Sequence, residues 1–298
     1  MAIEVEGLSK IYGEYKAVEN LSFKMENSGV FALLGTNGAG KTTSIRMMLG
    51  MLKRDSGTAK WEGKPIEATS DPIGYLAEER GLYPKVNVTE QLVYFATLRG
   101  MTSHDAKKNM DYWFSRLEIE EYKNKKAFQL SKGNQQKVQL VAALITDPKL
   151  LILDEPMSGL DPVNSNQFRE IIKEQSKQGK YIIMSSHQMN TIEEFCDDLV
   201  ILNKGKTVLK GNLKEIKKSY GRVNLSVKSD SDITELAKEC GLLLIDKTPE
   251  ECKFKVPSEN NAENFLKIAA NNNISIVKFE LSEPSLNEIF IEKVGESQ

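Results

Sequence analysis

Only two histidines and three cysteines occur in the 298 residues of this chain. Cys196, Cys240 and Cys252 lie far apart with no CxxC pair, so neither a disulfide framework nor a zinc site is expected, and the thiols read as reduced and buried. His104 and His187 are too few for a histidine-rich metal site. Long apolar runs are also missing: the longest, Leu140 to Ile145, is about six residues, where a membrane-spanning helix needs roughly 20. The opening MAIEVEGLSK carries two glutamates where a signal peptide needs a basic flank and an apolar run. The chain is therefore expected to be cytosolic and not to enter a membrane by itself. Charge of one sign is not in excess: 40 Lys and Arg face 42 Asp and Glu, a net charge of −2, which gives no electrostatic case for nucleic-acid binding. No internal repeat and no low-complexity tract appears.

What is present is ordinary globular material, 40% hydrophobic and 28% charged. Ile3 to Phe23 alternates apolar and polar residues with Gly13 at a turn, which predicts a β-hairpin region. VFALLG, Val30 to Gly35, is a buried strand that runs into a glycine-rich loop, and Thr42 to Leu52 follows as a helix. Thr89 to Lys126 is helical in period. LLILDEP, Leu150 to Pro156, is a second apolar strand; a helix over about Val163 to Gln178 and a third strand, YIIMSSH, complete an alternation that implies a parallel sheet covered on both faces. Beyond the lysine-dense stretch from Asn203 to Arg222 the pattern becomes strand, helix, two strands, helix, strand. That order predicts a small ferredoxin-like unit of about 75 residues. The lysines themselves read as a solvated helix face and linker.

Chemistry is concentrated at a few places. Gly35-Thr36-Asn37-Gly38-Ala39-Gly40-Lys41-Thr42 has the spacing of a phosphate-binding loop and sits between a strand and a helix start, where backbone N–H groups and the helix dipole can hold an anion. Lys41 is suited to reach β- and γ-phosphates, and the Thr42 hydroxyl to ligate Mg2+. Asp154 and Glu155 emerge at the end of their strand, on opposite sides: Asp154 suits a metal ion or its water, Glu155 suits a general base. Taken alone, such an acidic pair also suits capping of the following turn. LSKG, at 130–133, likewise reads as an N-cap before a helix.

In combination, GTNGAGKTT (35–43), LSKGNQQ (130–136), LILDEPMSGLD (151–161) and SSH (185–187) resemble the ATPases of ATP-binding-cassette (ABC) transporters. The resemblance covers about residues 1–215. The tail, ending in SEPSLNEIFIEKVGE, is similar to a bacterial subgroup with an extra C-terminal domain, among the ABC-2 type exporters and sodium-efflux-like ATPases. The implied fold is α/β: a P-loop NTPase cassette with a mixed sheet core, an N-terminal antiparallel β region and a helical subdomain at about 85–145. An α+β ferredoxin-like domain over 221–298 follows. The resemblance implies that Tyr12 stacks on adenine and that residues 35–43, through Thr43, cradle the phosphates of ATP. It places Ser131 and Gly133 on the γ-phosphate of another subunit's ATP, with Ser158 to Asp161 crossing the dimer interface. Glu155, His187 and Glu78 become the catalytic residues, and Thr42, Asp154 and Glu78 the Mg2+ site.

This chain departs from that pattern in three places. Thr36 replaces a proline. Lys132 and Asn134 alter LSGGQ and leave open which of Gln135 and Gln136 matches its last position. IGYLAEERGLYP (73–84) puts Glu78 where the family has glutamine, a residue expected to touch both Mg2+ and the attacking water. One phosphate loop and one signature per chain cannot build a complete site, so the resemblance implies a homo- or heterodimer of such subunits. It further implies integral membrane permease subunits docking near Glu78 to Arg99, export as the direction, and a place on the cytoplasmic face of the cell membrane. A soluble ABC ATPase acting on ribosomes or DNA is the rival reading. Against it, the chain has one cassette, and the roughly 90 residues between Lys41 and Ser131 leave no room for a coiled-coil arm.

Overall fold

The computed structural model describes residues 3–68, 73–79 and 81–295. Its contacts divide the chain into Met1–Gly211 and Asn212–Gln298.

In the first unit, β1 (Ile3–Tyr12) and β2 (Tyr15–Met25) form an antiparallel hairpin that ends on the pair Tyr12 and Tyr15. The alternation Ile3, Val5 buries one face, and a bulge between Val5 and Leu8 restores it after Gly7. β3 (Gly29–Gly35) is buried along its whole length and leads through the glycine loop into α1 (Lys41–Met48). β4 (Ser56–Trp61) and β5 (Lys64–Pro65) extend the hairpin into a four-stranded sheet of order β2-β1-β4-β5.

After β6 (Ile73–Leu76), the stretch predicted as helical is two helices. α2 (Val88–Leu98) is capped by the Asn87 side chain on the Thr89 and Glu90 N–H groups, and α3 (Ser103–Leu117) by Thr102 on Asp105. They bury Leu92, Ala96, Met110 and Phe114, and α4 (Lys132–Leu144) follows. β7 (Leu150–Asp154), α5 (Pro162–Lys177), β8 (Tyr181–Ser186), α6 (Met189–Glu193), β9 (Asp198–Asn203) and β10 (Lys206–Asn212) complete the core. The central sheet has the order β10-β9-β3-β8-β7-β6. β3 runs parallel to β8 and β9, and β7 parallel to β6 and β8. β8 thus lies between β3 and β7, so the glycine loop, the acidic pair and His187 leave the sheet at the same edge, where ligands of open α/β sheets bind.

The second unit opens with α7 (Leu213–Tyr220), which carries part of the lysine stretch read as linker. β11 (Asn224–Ser229), α8 (Thr234–Glu239), β12 (Leu243–Lys247), β13 (Cys252–Lys255), α9 (Glu259–Asn271) and β14 (Ile276–Ser282) follow, then α10 (Leu286–Gly295). The sheet order β12-β13-β11-β14, antiparallel throughout, is the ferredoxin-like arrangement. Leu225, Val227, Phe254 and Phe265 form its core, the two rings 6.4 Å apart between centroids. All three cysteines are free and buried. Burial pushes the Cys196 thiol up to about 12.

Phe254 is wholly buried in this small core. Phe254→Ala is therefore expected to cost about 3–5 kcal/mol, read as a lower urea midpoint; an unchanged midpoint would show that this ring does not hold the unit together.

Candidate functional site

The glycine loop is fixed from several sides by the chain itself. Gly35 and Gly40 have φ of 149° and 104°, values that side-chain-bearing residues avoid. A Cβ on Gly40 would stand 2.5 Å from the Ala17 carbonyl of β2, and one on Gly35 would strike the Leu202 carbonyl of β9. The Gly205 N–H donates to the Ala39 carbonyl at 3.1 Å, which ties the loop to the turn between β9 and β10. Thr36 contributes its carbonyl, which accepts from Ala39 N–H and Lys41 Nζ, while its side chain is exposed.

Lys41, 6% exposed, donates to the Gly35 carbonyl at 2.8 Å and the Thr36 carbonyl at 3.2 Å. Its Nζ also stands 3.2 Å from Glu155 Oε1. Glu155 is 4% exposed and its other oxygen lies 2.9 Å from His187 Nδ1. Lysine, glutamate and histidine thus form one chain of contacts at the sheet edge. The Glu155 backbone has φ of 48°, a left-handed conformation that costs a non-glycine residue of order 1–3 kcal/mol and persists only where surroundings enforce it. Part of the enforcement is its N–H, which donates to Ser185 Oγ at 2.8 Å.

Ser185 also donates to Asp154 Oδ1 at 2.5 Å. Asp154 is fully buried. Burial pushes its carboxyl above the usual range; the Ser185 and Thr42 hydroxyls pull it back, and the charges of Glu78 and Glu155 push it further up. Its Oδ2 is buried without a hydrogen bond, and the nearby Thr42 hydroxyl also lies 3.2 Å from Glu78 Oε2, to which it donates. No three His, Cys, Asp or Glu side chains among the described residues cluster closely enough to hold a metal ion alone. An orphaned buried oxygen beside a hydroxyl and a second carboxylate fits a hard cation whose remaining ligands arrive with a phosphate.

Tyr12, Asn37, Gly38, Gly40, Lys41, Thr42, Thr43, Glu78 and Glu155 line one cleft of about 260 Å³, together with Tyr15 and Ala17. Tyr12 and Tyr15 are 51% and 57% exposed across the hairpin end, so two flat faces flank the entrance. A larger hollow, of about 740 Å³ between β2 and β9, contains none of the candidate residues. Ser131 and Gly133 do not line the small cleft. Ser131 is exposed and caps α4 through the Asn134 N–H at 3.3 Å, while Gly133 faces Asn164 and Leu160 beyond the acidic strand. Gln135 is buried and turned back to the carbonyls of Ala127 and Leu130, whereas Gln136 donates to the Pro156 carbonyl at 3.2 Å. α4 is thereby bonded to the end of β7. Its Gln139 donates to the Glu79 carbonyl at 3.2 Å, which ties it to the segment carrying Glu78 as well.

Sequence reasoning missed Ser185, Tyr15 and these glutamine links. Tyr15 had a signal, an aromatic residue facing Tyr12 across a glycine turn. Ser185 stood only as part of the SSH stretch, and its bracing role appeared when strand order placed it opposite both Leu33 and Asp154. Arg80, in the stretch expected to meet a permease, lies outside the described residues.

Comparison with known proteins matches residues 18–158 to the family described as ABC transporter, and residues 211–294 to the C-terminal domain of DrrA1-3-like ATP-binding proteins. A Bacillus subtilis relative, the ABC transporter ATP-binding protein YhaQ, is 46% identical over 98% of each chain. The linearmycin resistance ATP-binding protein LnrL of the same organism is 28% identical over 98% of each. Among solved structures, an ATP-binding subunit of an ABC transporter superposes with a TM-score of 0.68 at 30% identity, covering 74% of this chain and 94% of that one.

Ser185→Ala removes the partner of both Asp154 and the strained Glu155 backbone. A loss of about 1–3 kcal/mol in unfolding free energy is expected, measured by urea denaturation; stability within error of the natural chain would show that the hydroxyl does not hold this pair.

Proposed function

Because this chain belongs to the ABC transporter ATP-binding proteins, a family of ATPases, we propose that it hydrolyses ATP as one half of a nucleotide-binding dimer and thereby drives membrane-spanning permease subunits in export. The observation that carries this reading is the clamped carboxylate: Glu155 sits between Lys41 and His187 in the lining of the glycine-loop cleft.

The geometry supports the following roles. Tyr12 offers its exposed ring to adenine, with Tyr15 beside it. The loop from Gly35 to Thr43 presents backbone to the phosphates, and Lys41, already pointing into the cleft, exchanges carbonyl and carboxylate contacts for phosphate oxygens. Glu155 accepts the proton of the attacking water, and His187, bonded to the same carboxylate, orients it toward the γ-phosphate. Asp154 and Thr42 would hold Mg2+, with Glu78 at its edge; when bound, the ion supplies charge neutralisation at the phosphates.

Ser131 and Gly133 stand at the start of α4, outside the cleft of their own chain, with the Ser131 cap facing solvent. This placement supports a dimer in which each chain completes the other's site, with ATP between them and separation after hydrolysis. For the permease, the segment after Glu78 offers Tyr83, Tyr94 and Leu98, which are 57%, 54% and 66% exposed. Such apolar exposure beside a nucleotide site suits a docking surface. No helix among the described residues is long and apolar enough to cross a membrane, so attachment to the cytoplasmic face falls to the permease. Export rests on the DrrA-like C-terminal domain and on the relative named for linearmycin resistance.

Glu155→Gln keeps the shape and removes the base. ATP turnover is expected to fall by about 100-fold or more, with ATP still bound and the dimer accumulating in size-exclusion chromatography. Undiminished turnover would remove Glu155 from the chemistry. Purification from native membranes is expected to bring multi-spanning proteins that stimulate the ATPase; recovery with ribosomes or DNA instead would overturn the transport reading.

A further inference from the structure

We propose that Glu78 makes entry of the nucleotide conditional on a divalent cation, by leaving the cleft with negative charge that no cation among the described residues compensates. The inference rests on the ATP-binding reading above and concerns what this side chain does to it.

The charges of the cleft can be followed one by one. Lys41 and Glu155 stand 3.2 Å apart and offset each other. Two carboxylates remain. Asp154 lies fully buried behind the lining of the cleft, with Oδ2 lacking a hydrogen bond. Glu78 stands on the cleft wall, where its Oε2 accepts from the Thr42 hydroxyl at 3.2 Å. Neither has an ion pair with any cation among the described residues; Arg46 pairs with the neighbour Glu79, 3.6 Å away, outside the cleft. A triphosphate entering alone therefore meets Glu78 as a like charge without an ion pair among the described residues, in a space of about 260 Å³.

The same residues do not hold a cation unaided. No three acidic, histidine or cysteine side chains among the described residues come close enough together. The Thr42 hydroxyl that would serve such an ion donates to Glu78 instead. Cation and triphosphate each supply what the other lacks: the ion neutralises Glu78 and Asp154, and the phosphates complete the ion's oxygen shell. A glutamine at this place would offer a carbonyl oxygen without the charge, so the dependence on metal would be shallower.

The test uses the full chain and the β,γ-imido analogue of ATP, with affinity measured calorimetrically in excess Mg2+ and in excess EDTA. The natural chain is expected to lose most of its affinity in EDTA. Glu78→Gln should shrink that loss by about 10-fold or more through tighter metal-free binding, the size set by one charge near phosphate at an effective dielectric of about 20. Glu79→Gln makes the same charge change outside the cleft and should leave the loss as it is. An unchanged metal dependence in Glu78→Gln would overturn the proposal. So would a change confined to weaker Mg2+-loaded binding, or an equal effect of Glu79→Gln. Absence of analogue binding in every protein and condition would overturn the ATP-binding reading beneath it.

Discussion

The contact between Lys41 and Glu155 is the constraint on which the functional edge of this molecule depends. Both groups are nearly sealed from water, at 6% and 4% exposure, where an unpaired charge costs several kcal/mol and a lost partner about 3–5. The glycine loop and the acidic strand must therefore arrive in register, since neither charge tolerates solitude. Strand order meets that demand by setting β8 between β3 and β7 and letting Ser185 brace the second strand. The glycines at 35 and 40 meet it from the other side, by letting the loop pack against β2 and β9 without a Cβ in the way.

A site pre-assembled in this way is held ready for exchange rather than for rest. Lys41 is satisfied by two carbonyls and a carboxylate, all of which a phosphate can displace. Glu155 is held in a left-handed backbone conformation and between two basic side chains, which fixes where its oxygens point. The polarity of the arrangement also explains why α4 matters twice. Its start presents Ser131 and Gly133 outward, and its body is bonded to Pro156 and Glu79 by Gln136 and Gln139. Those bonds join the helix to both acidic segments of the chain's own cleft.

Much of this was legible from residue order. The strand-loop-helix around Lys41 was readable because a buried apolar run followed by glycines has few other uses, and the ferredoxin-like tail because its elements alternate cleanly. The boundary between the units was less legible. α7 groups with the C-terminal unit although its lysines look like linker, since charge density says nothing about which core a helix joins. The helical stretch after Glu78 was readable in kind and not in number, because the break at Gly100 interrupts a period that resumes at once.

The sequence by itself determined the chemical parts: a phosphate loop, an acidic pair, a histidine after a strand and a carboxylate at position 78. Those assignments rest on local pattern, which is carried by adjacent residues. The tertiary structure alone decided which parts touch. That β8 inserts between two strands distant in the chain, that Ser185 braces Asp154 and Glu155, and that Glu78 takes the Thr42 hydroxyl are consequences of parallel pairing across long separations. Such contacts leave no periodicity in the chain, because the hydrogen bonds that create them join residues that sequence order keeps apart.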